Sequence, residues 1–217
     1  MTIVIKDLSN QKAGKFKVGN ITFDFRRVNF QKNEPLGNPE SLIMHHTATP
    51  PNILYDDYHF NISEIDKQVF VFKTLKWIEK GMHLWTRNSN NIANTFCCKA
   101  TGKDVPSPKM IDVMAILQAE QCAWKNIDIF GKVTVPKKQY VVRKQEGKKV
   151  ELLILAPGTI IVNRLSDHGE YAKLDGYSHL RWDVGENIRK QVIILAQKYY
   201  KELKAGKRQF IFKDLLV

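Results

Sequence analysis

Two segments of this 217-residue chain hold histidines in settings that suit chemistry. In the first, an apolar run ends in His45 and His46 and two prolines follow, which predicts side chains placed at the end of a strand. In the second, His168 lies in a polar stretch, and Asp183 comes after it. Two imidazoles and one carboxylate can bind zinc and leave a fourth position for water, the open form of a catalytic zinc site. Residue types at such long separations do not decide between this site and ordinary hydrogen-bonded polar side chains.

The residues around His45 predict the strands that position it. Residues 1–40 consist of short mixed runs broken by glycine and proline, which indicates an N-terminal arm with short strands. The run that ends in His45 and His46 is itself a strand candidate. Three further runs predict the two strands of a hairpin and one buried strand: residues 59–62, 68–72 and 92–98.

Two long helices are predicted in the rest of the chain. The first begins after Ser107, which suits the N-cap, with Pro108 at the first helical position. The second runs from about residue 185 to about residue 203. The remaining predictions are a lysine-rich hairpin that turns at Glu146-Gly147, and a short tail strand over residues 209–217.

Mixed strands with long helices predict an α/β or α+β fold, with a central mixed sheet flanked by helices. The expected organisation is the N-terminal arm, residues 1–40, followed by one domain, residues 41–217. The lysine-rich hairpin would be an insertion in that domain at about 131–160.

Five segments follow one another along the chain: IMHHTATP, YHF, DKQVF, the stretch from His83 to Ala93, and DHGEYAKLDGYSHLRWD. In this order they resemble the motifs of the zinc-dependent N-acetylmuramoyl-L-alanine amidases. Phage amidase endolysins and peptidoglycan recognition proteins share the fold of that family. The resemblance extends from about Leu42 to Asp183, and it implies an amidase fold around a zinc site.

Position by position, the resemblance implies three zinc ligands, His45, His168 and Asp183. A zinc ion held by two neutral imidazoles and one carboxylate acidifies a bound water and polarises the scissile carbonyl. Arg181 would stabilise the oxyanion of the tetrahedral intermediate, and Tyr58 would hydrogen-bond the water or that oxyanion. A shift of register by one residue would instead make His46 the ligand in place of His45.

The same resemblance implies a groove that contacts the glycan and the stem peptide. Arg87 could pair with a stem-peptide carboxylate, and Trp85 could stack on a sugar. The substrate-binding residues expected from the matching positions are His46, His83, Trp85, Arg87, Asn88 and Thr95.

The chain departs from the family at the strand over residues 92–98. Some amidases carry a catalytic glutamate there, and this sequence has Asn94 and Thr95 at the corresponding place. Glu170, two residues after His168, is the nearest substitute for a general base. Otherwise it would be the partner of a loop salt bridge.

The net charge of +12 favours anionic partners. The lysine-rich residues 137–149 could hold the protein on anionic wall polymers. They lack the interleaved aromatic residues of a base-stacking surface, and the chain shows no nucleic-acid-binding motif, so nucleic acid is not an expected partner. Three cysteines do not make a disulfide framework, and buried thiols are expected.

The first residues lack the apolar core of a signal peptide, and no apolar stretch is long enough for a transmembrane segment. We therefore expect a protein made in the cytoplasm that reaches the wall through a holin or another non-Sec route. We also expect a monomer. The predicted function is zinc-dependent hydrolysis of the bond between N-acetylmuramic acid and L-alanine of peptidoglycan, as in phage endolysins. The alternatives are a recycling amidase that takes soluble muropeptides and a peptidoglycan recognition protein that binds without catalysis.

Overall fold

The computed structural model describes residues 2–31, 33–82, 84–98, 105–145, 148–177 and 184–216. The strands are β1 Ile3–Asp7, β2 Gly14–Val18, β3 Ile21–Arg26, β4 Ser41–His46, β5 Ile53–Tyr55, β6 Phe60–Ile65, β7 Gln68–Lys73, β8 Asn91–Phe96, β9 Lys132–Gln145, β10 Lys148–Asn163 and β11 Leu165–Asp167. The helices are α1 Pro108–Lys125, α2 His168–Asp175, α3 Glu186–Lys204 and α4 Lys213–Leu216, and a 3₁₀ segment covers Trp85–Asn90.

Six strands form the central sheet, in the order β1-β7-β6-β8-β4-β11. The sheet is mixed, because β6 and β7 pair antiparallel while the other neighbours pair parallel. The β6–β7 hairpin turns through Asp66 and Lys67, which both have positive φ, at 51° and 65°. Two such residues in succession match the backbone twist of a tight hairpin. The predicted mixed α/β fold and this hairpin are confirmed.

Helices α1 and α3 cover one face of the central sheet. The Ser107 side chain caps α1 by accepting a hydrogen bond from the Met110 amide, and Pro108 follows at the first position, as predicted. Alternate residues of the strands, such as Leu42 and Met44 of β4, point toward these helices and share one buried cluster with them. We call this the helical face.

The opposite face is covered by strands and by α2. Near β7, the three-stranded sheet β2-β3-β5 packs Phe23 and Phe25 against Phe70 and Phe72. Near β4 and β11, Ile43 packs against α2 and the base of the β9–β10 hairpin. Residues 1–40 therefore contribute to both sheets, since β1 pairs with β7 and β3 pairs with β5.

Two elements differ from the sequence-based expectations. Helix α2 was not predicted. The Asp167 side chain accepts a hydrogen bond from the Glu170 amide at its start, and Gly176 ends it with a φ of 83°. The tail strand expected over residues 209–217 is wrong, because this segment contains α4 and no strand in its described part.

The tail folds this way because its polar and apolar groups both find partners on α1. The Glu120 carboxylate accepts hydrogen bonds from the amides of Ile211 and Phe212, both at 2.7 Å. Phe212, Leu215 and Leu216 are buried, and this spacing is that of a helical stripe.

The β9–β10 hairpin predicted from the lysine-rich segment is present, and its strands pair up to Gln145 and Lys148. The predicted turn residues, Glu146 and Gly147, lie outside the described ranges. None of the helices in the described part of the chain is long and apolar enough to span a membrane.

Candidate metal and active site

The last two residues of β4 point to opposite faces of the sheet. In the register with β8, His45 lies opposite Thr95 and His46 lies opposite Phe96. Phe96 belongs to the helical face, so His46 does as well. His46 is buried there, and burial lowers the pKa of its imidazole. His45 points to the opposite face, toward α2.

His168 reaches the same place from a neighbouring strand. Strand β11 pairs parallel with β4 and places Asp167 opposite Met44, so His168 follows at the level of His45. The two imidazole rings have centroids 5.6 Å apart and planes inclined by 69°. Both side chains are almost completely buried. The parallel pairing thus joins two histidines that are far apart in the sequence.

This pair fits a shared zinc ion. Two imidazoles bound to one tetrahedral zinc would have ring centroids roughly 5 Å apart, close to the observed separation. Within the described ranges, no three histidine, cysteine or carboxylate side chains come together as a metal site. The third predicted ligand, Asp183, lies outside those ranges, as do Arg181 and His83.

Tyr58 packs against His45 from the loop before β6. Its ring centroid lies 5.3 Å from that of His45. Tyr58 is buried, and burial raises the pKa of its phenol well above the usual value. The phenol therefore stays protonated and can donate a hydrogen bond.

Glu170 lies in the first turn of α2 and has polar partners on two elements. Its carboxylate accepts a hydrogen bond from the Asn163 side chain at 2.8 Å, and Arg189 of α3 approaches it at 3.8 Å. Burial raises its pKa, and the Arg189 guanidinium opposes that shift. A carboxyl group with a raised pKa binds its proton more tightly than an ordinary glutamate does.

Asp167 is a residue of this region that the sequence analysis missed. It precedes His168, it is fully buried, and one carboxylate oxygen accepts hydrogen bonds from the Glu170 amide at 2.8 Å and from Arg189 at 2.6 Å. These contacts fix the start of α2 and with it the backbone of His168. The signal in the sequence was an aspartate followed three residues later by a glutamate, as at helix N-termini.

The two residues at the place of the family's glutamate point in opposite directions. Asn94 lies on the helical face, where its side chain and that of Gln121 form two hydrogen bonds of 2.7 and 3.1 Å. Thr95 lies on the face of His45 and is fully buried. Of these two residues, Thr95 is therefore the one next to the histidine pair.

Two of the predicted groove residues have partners within the protein. The Arg87 guanidinium forms two contacts with the Asp175 carboxylate, at 2.5 and 2.9 Å, and donates a third bond to the Pro136 carbonyl. Asn88 is fully buried, and it bonds the Leu84 amide and the Gln31 side chain. Trp85 begins the 3₁₀ segment that carries both.

Asp57, beside Tyr58, is a second residue that the sequence analysis missed. Its Oδ1 atom is buried and has no hydrogen-bond partner among the described residues. Burial, and then the charge of Asp56, raise the pKa of Asp57 to about 7. No motif singled out this aspartate, because its position next to Tyr58 became distinctive only through burial.

His59 has a structural role. Its Nδ1 accepts a hydrogen bond from the Ala93 amide at 3.1 Å, and its Nε2 lies 3.1 Å from the Glu79 carbonyl. Burial lowers the pKa of His59 to about 4, so the ring is neutral and connects β8 to the loop at Glu79.

No family model and no curated protein matches the sequence. Among solved structures, the chain is similar to PlyL at 16% sequence identity, over 49% of this chain and 76% of PlyL, with a TM-score of 0.36. It is similar to the N-acetylmuramoyl-L-alanine amidase LysC from Clostridium intestinale URNW at 17% identity, over 48% of this chain and 78% of LysC, with a TM-score of 0.35. It is also similar to the Staphylococcus aureus hydrolase AmiA at 11% identity, over 97% of this chain and 88% of AmiA, with a TM-score of 0.47.

Proposed function

We propose that this chain is a zinc-dependent amidase that hydrolyses the bond between N-acetylmuramic acid and L-alanine in peptidoglycan. The observation that carries the proposal is the approach of His45 and His168, whose buried rings lie 5.6 Å apart at the same edge of the sheet. These are two of the three ligands that the ordered amidase motifs imply. Cell-wall lysis of the phage endolysin type, with polymeric peptidoglycan as substrate, is part of the proposal.

His45, His168 and Asp183 would hold the zinc ion. Zinc in such a site supplies an acidified water as nucleophile and polarises the carbonyl of the scissile amide. The imidazoles of His45 and His168 are both buried, and a zinc ion would bind them in the neutral form. Asp167 and Arg189 fix the start of α2, so that His168 is positioned before the metal arrives.

Three side chains of the protein would assist the reaction. Tyr58, held protonated by burial, would donate a hydrogen bond to the oxygen that gains negative charge. Arg181 would add a permanent positive charge there. Glu170, with its raised pKa, would take the proton released at attack and return it to the leaving amine.

The first experiment is the zinc content of the purified protein, paired with turnover of purified sacculi before and after chelation. We expect about one zinc per chain, with activity lost to the chelator and restored by zinc. His45→Ala and His168→Ala should each lose zinc and activity together.

His46→Gln is the matched control, since it removes the neighbouring imidazole from the helical face. It should keep zinc, and loss of zinc in this variant with retention in His45→Ala would reverse the ligand assignment. Zinc without turnover would indicate a recognition protein, and absence of zinc would contradict the proposal.

A further inference from the structure

The β9–β10 hairpin plays no part in the proposed active site. From here on we call this hairpin, and not the N-terminal residues 1–40, the arm. Its strands have 14 and 16 residues, and within the described chain they pair only with each other. At about 3.3 Å per residue the arm is roughly 45 Å long, far longer than the strands of the central sheet. A two-stranded ribbon is only marginally stable alone, so a bound partner could stabilise its outer part.

The base of the arm is attached to the elements around His168. Val133 and Ile160 pack with Ile43 of β4 and Tyr171 of α2. The Asp175 carboxylate of α2 accepts a hydrogen bond from the Lys138 amide at 2.8 Å while it pairs with Arg87. The orientation of the arm relative to α2 is therefore determined by buried contacts.

The distal part of the arm carries a concentrated positive charge. Residues 137–149 include six lysines and arginines and one glutamate. Four of the cations are exposed near the turn: Arg143, Lys144, Lys148 and Lys149. We call these four residues the arm tip.

The register at the arm tip places like charges together. Lys144 lies directly opposite Lys149, so these two side chains share one face of the ribbon, while Arg143 and Lys148 belong to the other face. Like charges in such cross-strand pairs destabilise a ribbon, and an anion bound between them removes that cost. The arrangement therefore favours a partner with closely spaced negative charges.

The chemistry of the tip selects among polyanions. No aromatic residue occurs between Arg143 and Lys149, and Tyr140 is stacked on Tyr177 at 5.6 Å, so no free ring is provided for nucleic-acid bases. The residue before Arg143 is the exposed Val142, and a single valine offers too little apolar surface to enter a lipid layer. The arm tip therefore suits a chain of phosphate groups that is recognised by charge alone.

We propose that the arm tip binds the phosphate-bearing polymer of the bacterial wall, a polyol phosphate of the teichoic-acid class. The choice of a wall polymer rests on the proposed function, whereas the cationic tip is a property of the fold. Because the base of the arm is anchored to α2, binding at the tip would hold the catalytic histidines on the wall.

The test is co-sedimentation of the full chain, in the cold, with sacculi that carry teichoic acid and with the same sacculi after the polymer has been stripped. Lys144→Glu/Lys149→Glu should weaken binding to the polymer-bearing sacculi by about tenfold or more. Binding to stripped sacculi should not change. High salt should reduce the difference between wild type and variant, since charge provides the affinity.

Lys12→Glu/Lys17→Glu is the matched control. It makes the same charge change at two exposed lysines, one before β2 and one on it, and neither belongs to the β9–β10 hairpin. It should bind polymer-bearing sacculi like the wild type, and thermal unfolding checks that both double variants fold. Equal binding of the tip variant and the wild type would overturn the proposal, as would tighter binding of double-stranded DNA than of the polymer.

Turnover of stripped sacculi separates this inference from the proposed function. The tip variant should hydrolyse them at the wild-type rate. A wild-type protein that binds the polymer through the tip but hydrolyses nothing would contradict the amidase proposal and leave the docking surface standing.

Discussion

His45 and Thr95 occupy the same register position on the adjacent parallel strands β4 and β8, so their side chains leave the same face of the central sheet. Asn94, one residue earlier, lies on the helical face and exchanges two hydrogen bonds with Gln121 of α1. Two consecutive residues of one strand thereby lie on different faces, one beside His45 and one against α1. Substitutions at Thr95 and at Asn94 should therefore have different effects on turnover and on stability.

Thr95→Val removes a hydroxyl next to the histidine pair and keeps the shape of the side chain. We expect turnover of sacculi to fall about tenfold at unchanged zinc content, because one polar group near the reacting atoms is lost. Asn94→Ala is the comparison on the other face. It should leave turnover unchanged and cost about 1–3 kcal/mol of folding free energy in chemical denaturation, since the buried Gln121 amide loses its partner.

Tyr58→Phe removes the hydroxyl group and keeps the ring that lies against His45. If Tyr58 donates a hydrogen bond to the developing oxyanion, kcat should fall by about a hundredfold while KM and zinc content stay the same. Steady-state kinetics and metal analysis of the same preparation test this. A variant with wild-type kcat would assign Tyr58 to packing alone.

Arg87 and Asp175 form a buried ion pair between the 3₁₀ segment and α2, and it supports the base of the arm. Arg87→Met leaves the carboxylate of Asp175 buried without its guanidinium, and we expect a loss of about 3–5 kcal/mol in urea denaturation. Lys190→Met is the control. It removes an exposed pair with Glu186 on α3, so stability should change by less than about 0.5 kcal/mol.

Asp57→Asn should change how stability depends on pH. The pKa of Asp57 is about 7 in the folded protein and about 4 in an unfolded chain, so the folded state holds more protons between these values. The protonated Asp57 carboxyl therefore contributes fully to the free energy of unfolding below a pH of about 4, and this contribution is lost as the pH rises to about 7. The variant should be more stable than the wild type by about 2 kcal/mol near pH 8, allowing for partial exposure, and equally stable near pH 4.

His59→Gln should act in the opposite direction. The pKa of His59 is about 4 in the folded protein and about 6.5 when unfolded, so the unfolded state holds more protons in between. Stability is therefore lost as the pH falls through this range. The variant should be less stable than the wild type at neutral pH, because the Ala93 amide loses its acceptor, and its acid unfolding should be less steep. Melting curves across the pH range, with Asp57→Asn alongside, separate the two contributions.

Local signals in the sequence were sufficient for the elements whose residues interact with near neighbours. Ser107 and Pro108 determined the start of α1, and the turn at Asp66 and Lys67 joins two strands with strong β propensity. The pairing of His45 with His168 was accessible only through the resemblance to the amidases, since nothing in their separation requires a contact.

Tertiary structure decided what depends on distant partners. The tail became a helix because Glu120 of α1 accepts the amides of Ile211 and Phe212, which a strand-like composition does not predict. Arg87, expected in the substrate groove, pairs with Asp175 of α2.

The raised pKa of Asp57 and the orientation of His45 away from His46 likewise follow from burial and strand register. The sequence by itself determined the residue types of the candidate site and the strands that carry them. The assembled sheet decided which side chains meet, because parallel pairing and burial join residues that have no local interaction.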